Sequence, residues 1–275
     1  MRLLSALTLG VALAIPAIPA LAQDTELVIG RAVSTNAMDP GFMREAATIV
    51  DNIFDTLVMR DKQMNLVPGL ATEWRAVDDL TWEFRLREGV TFHNGEPFDA
   101  EAVKFTFDRI VDPATASPRA SSANSIASVE VIDEYTVQFV THEPFAPFLA
   151  QLSAYNLAIM SPAAVEQHGS NVSRQPSGTG PFRLDSWMPG ERMRLVRNED
   201  YWGGPTHIDA LDVVVVPEDS ARVLMLMSGE ADVVANVPPI MTDRLASAGN
   251  LQIIQTTGFR TIYVAMNWSQ EPFTN

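Results

Sequence analysis

The stretch Thr81–Ile110, TWEFRLREGVTFHNGEPFDAEAVKFTFDRI, switches from a two-residue to a helical period around one turn, and that switch restricts the fold more than any other feature of the chain. Trp82, Phe84 and Leu86 alternate with Glu83, Arg85 and Arg87, the pattern of an antiparallel strand with one wet face. Asn94-Gly95 supplies a turn. Asp99 stands where it caps a helix starting at Ala100, Phe98 is placed to staple against Val103, and Val103, Phe107 and Ile110 recur at helical spacing. A hairpin follows, with Val129 and Val131 before a turn at Asp133-Glu134 and Tyr135, Val137 and Phe139 after it. The middle of the chain therefore reads as a small α+β unit.

The flanks are written in another style. Glu26–Gly30 reads as a short buried strand, Arg31–Pro40 as a loop, and Glu45–Leu57 as an amphipathic helix in which Ile49, Ile53 and Leu57 face inward with Val50 and Phe54 beside them. After Gly180, strands are predicted at Phe182–Trp187 and Arg192–Arg197 around Pro189-Gly190, and at Leu211–Val216, an apolar run suited to cover on both faces. A helix over Glu218–Met227 ends at Gly229, and Ala231–Val234 and Thr261–Asn267 read as further strands. The expected layout is an α/β core interrupted by the middle unit, without internal repeats.

Composition fixes the class and the compartment. With 275 residues, 47% hydrophobic and 19% charged, the chain can bury a sizeable core. Its first residues read as an export signal: Arg2, the apolar run Leu3–Ile15, and a small-residue cleavage site at Ala20-Leu21-Ala22 that leaves Gln23 as the mature start. The sequence contains no cysteine, so it offers neither disulfides nor a lipid-modified N-terminal Cys, and a freely diffusing periplasmic protein is expected. The formal net charge of -15 becomes -16 without Arg2, which argues against nucleic acid and anionic lipid as partners.

Catalytic and cofactor motifs are hard to find. His93, His142, His168 and His207 are far apart and show no metal-ligand spacing, and no G-x-S-x-G elbow is present. Gly178-Thr179-Gly180-Pro181 reads as a turn, because Pro181 and the strand pattern after it leave no helix N-terminus to hold a phosphate. Glu199-Asp200 reads as a solvated loop rather than a catalytic carboxylate pair. Neither an enzyme nor a cofactor is expected.

Five collinear motifs place these elements. LVPGLATEW (Leu66–Trp74), WEFRLREGVTFHNGEPFDAEAVKFTFDRI (Trp82–Ile110), GTGPFRL (Gly178–Leu184), RNEDYWGGPTHIDALDVVVV (Arg197–Val216) and MSGEADVV (Met227–Val234) resemble, in this order, the extracellular solute-binding proteins of family 5. The resemblance implies a type II-like periplasmic binding protein lobe, a mixed sheet with helices, interrupted by the small α+β subdomain. Its expected boundaries are a signal peptide at 1–22, a lobe I core at 23–65 and 178–275, and an inserted subdomain at 66–177, with the second lobe of the family missing after 275.

On the same resemblance the chain is the substrate-binding component of an ABC importer, a monomer that delivers a di- or oligopeptide to an inner-membrane permease. Nickel complexes, opines, oligosaccharides and glutathione stay open as ligands, as do a secreted hydrolase and a non-transporting fragment as other classes. The ligand contacts implied are Asn36 and Arg44 in the loop after the first strand, Tyr155 and Asn156, and Arg260 ahead of Thr261, with no metal ligand. The long motif at Trp82–Ile110 is then scaffold, distinct from the residues that touch ligand.

Overall fold

The structure is a computed structural model and describes residues 25–35, 37–43, 49–255, 269 and 271. In chain order its elements begin with β1 (Glu26–Arg31), β2 (Val58–Arg60), β3 (Leu66–Pro68), β4 (Ala71–Ala76) and β5 (Thr81–Leu86), followed by α1 (Ala100–Val111), β6 (Ile126–Asp133) and β7 (Thr136–Thr141). There follow α2 (Phe148–Gln151), α3 (Pro162–His168), β8 (Phe182–Met188), β9 (Arg192–Arg197), β10 (Ala210–Val215), α4 (Asp219–Ser228), β11 (Val233–Val234) and α5 (Pro239–Ala246).

Two larger sheets organise these elements. The first runs β11-β1-β10-β9-β8, parallel at β1 with β10 and β11 and antiparallel from β10 through β9 to β8. The second, β4-β5-β7-β6, is antiparallel throughout and packs on α1. Each has its own apolar cluster. Around the second sheet, Phe84, Phe107, Phe139 and Phe148 form an interlocked set of rings, with Phe139 at 4.9 Å from Phe107 and 5.4 Å from Phe84 in edge-to-face contact.

Local chemistry explains the predicted elements that form. The Asp99 carboxylate accepts from Ala102 N at 2.9 Å, which satisfies one of the free donors in the first turn of α1. Asp99→Ala is expected to cost about 1 kcal/mol in chemical denaturation; an unchanged midpoint would mean that the cap contributes nothing. Glu218 caps α4 in the same way, and Gly229 closes that helix at φ 81°, where a side chain would be strained. The apolar run of β10 buries Ala210 through Val213, and Asp212 within it is neutralised by Arg192 and Arg194.

Two expectations are corrected. Among the described residues, 49–57 form no amphipathic helix: a single 3-10 turn at Val50–Asn52 leads into extended chain. Ile49, Val50, Ile53, Phe54 and Leu57 are buried as the pattern demands, but Asp55 and Thr56 between them are buried too, so residues 53–57 are enclosed on all sides. Its carbonyls bond across the molecule rather than along a helix: Ile53 O accepts from Gly180, Asp55 O from Ile159, Thr56 O from Leu70, and Leu57 O from Gly69 and Ala71. The other correction is β1, where only Gly30 is buried. The two-residue β11 pairs with β1 only at Ile29 and Gly30, and Val234 and Met225 lie close to Gly30. The strand predicted at Thr261–Asn267 and the export signal lie outside the described residues.

Candidate functional site

A buried joint around Asp55 brings four of the sequence motifs together. Its carboxylate accepts from the Thr179 hydroxyl at 2.9 Å, from Trp202 Nε1 at 2.8 Å and, more weakly, from the Tyr201 hydroxyl at 3.5 Å. Arg87 lies over the Trp202 ring at 4.2 Å and donates to Gly69 O. Burial pushes the Asp55 carboxyl above the usual carboxylate range, against the pull of these donors and of the Arg87 charge. The glycines of GTG permit backbone approach: a Cβ on Gly178 would stand 2.1 Å from Ile53 O, and one on Gly180 2.6 Å from Ile53 C. The His93 ring meets Gly180 O at 3.0 Å, which ties the Asn94-Gly95 turn to the same joint. None of this geometry offers a nucleophile or an anion cradle.

The loop after β1 is held from one side by α1 and the segment after it. Asp39, 2% exposed, receives both arms of Arg109, at 2.7 and 3.2 Å, while the guanidinium lies 4.3 Å over the Phe42 ring. Ser117 donates to Gly41 O at 2.5 Å, Arg119 Nε donates to Met43 O at 2.6 Å, and Met38 N donates to Ser173 O at 3.0 Å. Met38 and Met43 are fully buried beneath it. The described part of the loop therefore leaves the C-terminal end of a sheet strand tied at Met38, Asp39, Gly41 and Met43, an arrangement by which α/β folds present binding residues.

Of the residues expected to touch ligand, Asn36, Arg44 and Arg260 lie outside the described residues. Tyr155 and Asn156 occupy the 3-10 turn Tyr155–Leu157. Tyr155 is brought to the loop, its hydroxyl 3.5 Å from Arg119 Nη2, on the same guanidinium that holds Met43 O. Asn156 is 6% exposed. Leu157–Met160, strand-like in sequence, is buried extended chain whose Ile159 N donates to Asp55 O.

The sequence reading missed Asp39, Arg109 and Asp55. A lone acid inside an apolar run, as in Ile53-Phe54-Asp55-Thr56-Leu57, is the signal that marks Asp55, because a buried carboxylate requires donors. Arg109 carries no such mark, since a charged residue beside an inward helical stripe normally faces water.

Comparison with known proteins agrees with this architecture. The model of the bacterial extracellular solute-binding proteins, family 5, matches residues 65–275. The chain is 32% identical over 272 residues to the glutathione-binding protein GsiB of Salmonella paratyphi A, covering 97% of this chain and 53% of that one. It thus spans about half the length of the curated relatives it matches.

Among solved structures, the periplasmic binding protein DppA from Helicobacter pylori in complex with the peptide STSA superposes at TM-score 0.75 and 31% identity, covering 81% of this chain and 48% of that one. The nickel ABC transporter protein from Bacillus halodurans gives 0.76 at 32%, covering 92% and 51%. MoaA from A. tumefaciens R10, in complex with mannopinic acid, gives 0.80 at 26%, covering 92% and 53%. The chain belongs to the bacterial extracellular solute-binding proteins of family 5.

Proposed function

We propose that this chain supplies one lobe of the substrate-binding component of an ABC importer, which captures a short peptide, glutathione included, in the periplasm and hands it to an inner-membrane permease without chemical change. The observation that carries the reading is the loop after β1, immobilised by the Asp39–Arg109 pair and by Ser117 and Arg119 at the end of a strand of the larger sheet. Two relatives at over 30% identity, one named for glutathione and one holding the peptide STSA, support a peptide ligand. In this reading Asn36, Arg44, Tyr155, Asn156 and Arg260 face the ligand, and residues 1–22 are removed on export. The core of the lobe comprises 23–65 and 178–275, and 66–177 form an inserted subdomain. Cleft closure then selects the ligand-bound conformation that the permease recognises.

Native mass spectrometry of the protein purified from its own periplasm tests this directly. The expected result is a mature start at Gln23 and a retained small molecule of peptide mass, displaced by added glutathione or tetrapeptide. Retention of a nickel complex or an opine would move the ligand class, and turnover of a peptide by the purified protein would overturn the binding-protein reading.

A further inference from the structure

A groove of about 350 Å³ lies between α3, the 3-10 segment Gly169–Arg174 that follows it, and the start of β8. Its walls carry Arg174, Arg183, His93 and His168 against a single carboxylate, Asp185. In a chain with formal net charge -15 this is a local reversal of sign.

Neither arginine is held by an acid, unlike seven others among the described residues. Arg75, Arg85, Arg109, Arg192, Arg194, Arg197 and Arg222 each pair with an acid. Arg174 instead lies 4.9 Å over the Trp187 ring, which orients its guanidinium without neutralising it. The Arg183 side chain, on β8, forms no ion pair or hydrogen bond among the described residues. His93 adds no charge, because burial holds its pKa below the ordinary imidazole range, so the positive field comes from the arginines.

We infer that this groove binds a small oxyanion, with Arg174 and Arg183 as its two cationic contacts. A planar guanidinium fork matches the oxygens of a phosphate or carboxylate better than any other side chain does, and a groove lined by two such forks offers two such contacts. The groove is at the small end of the range for ligand sites and fits a free anion or one acidic terminus. Its wall is joined to the loop after β1 through Ser173 O and Met38 N, yet the site stands independently of the peptide reading.

The test is a thermal-shift titration of the purified chain with inorganic phosphate, with succinate, and with sodium chloride at matched ionic strength. The melting temperature is expected to rise with the logarithm of phosphate or succinate concentration, as mass action requires. Chloride should have no such effect. A rise with phosphate alone assigns a free inorganic anion, and a rise with succinate alone assigns a carboxylate-bearing solute. In R174Q/R183Q, with circular dichroism unchanged, the rise should disappear, whereas R244Q, which removes an exposed arginine on α5, should retain it. No rise with either oxyanion, an equal rise with chloride, or a rise that survives R174Q/R183Q overturns the assignment.

Discussion

Replacing Asp55 by alanine is expected to destabilise the fold by about 3–5 kcal/mol, a loss of roughly 10 °C in melting temperature for a chain of this size. The substitution leaves the fully buried Thr179 hydroxyl and the half-buried Trp202 Nε1 without their acceptor, and a buried orphaned donor costs about 1–3 kcal/mol. Asp55→Asn keeps an acceptor oxygen and the shape, and is expected to cost much less. The two variants also separate in pH dependence. Burial raises the Asp55 pKa, so between the ordinary carboxylate range and that raised value the folded protein holds a proton that the unfolded chain has released. Its contribution to stability is greatest below this interval and is lost as pH rises through it.

His93 acts in the opposite sense: its pKa is depressed by burial, so its contribution is lost as pH falls below the ordinary imidazole range. Asp55→Asn should therefore remove the decline in stability with rising pH that Asp55 contributes above the ordinary carboxylate range, and leave the His93 limb intact. An Asp55→Ala protein that melts with the wild type, or an Asp55→Asn protein with an unaltered decline above the ordinary carboxylate range, would show that the joint does not depend on this carboxylate.

The Asp55 segment also marks the boundary of what the sequence could reveal. Where one face is wet, as at Trp82–Leu86 or along α1, period and burial coincide and the elements are legible. The caps at Asp99 and Gly229 were legible because each acts within a few residues, whereas Glu218, read as the first helical residue, is the N-cap of α4. Residues 53–57 are enclosed on every side, so Ile49, Ile53 and Leu57 satisfy a helical stripe by coincidence. Their true partners, Gly180, Ile159 and Leu70, lie far along the chain, and no local rule announces them. The same reasoning applies to the candidate site. Tyr155 reaches the loop after β1 through Arg119, a contact between distant segments that spacing cannot encode.

Arg109→Ala is the substitution expected to act most strongly on that loop. Asp39 is 2% exposed and would lose both hydrogen bonds from the guanidinium, leaving a buried carboxylate unpaired at a cost of about 3–5 kcal/mol. Arg109→Lys preserves charge but not the fork, and should recover only part of this. The double variant D39N/R109M removes both charges and restores an uncharged, volume-matched contact, so its stability should return to within about 1–2 kcal/mol of wild type.

The loop would still lack the ion pair that ties Asp39 to α1. If the loop is the ligand-facing element, glutathione or peptide affinity measured by calorimetry on the complete receptor should remain weakened in D39N/R109M despite its recovered melting temperature. Recovery of both quantities together would reduce Asp39 and Arg109 to a packing role. A wild-type melting temperature in Arg109→Ala would show that Ser117 and Arg119 hold the loop without them.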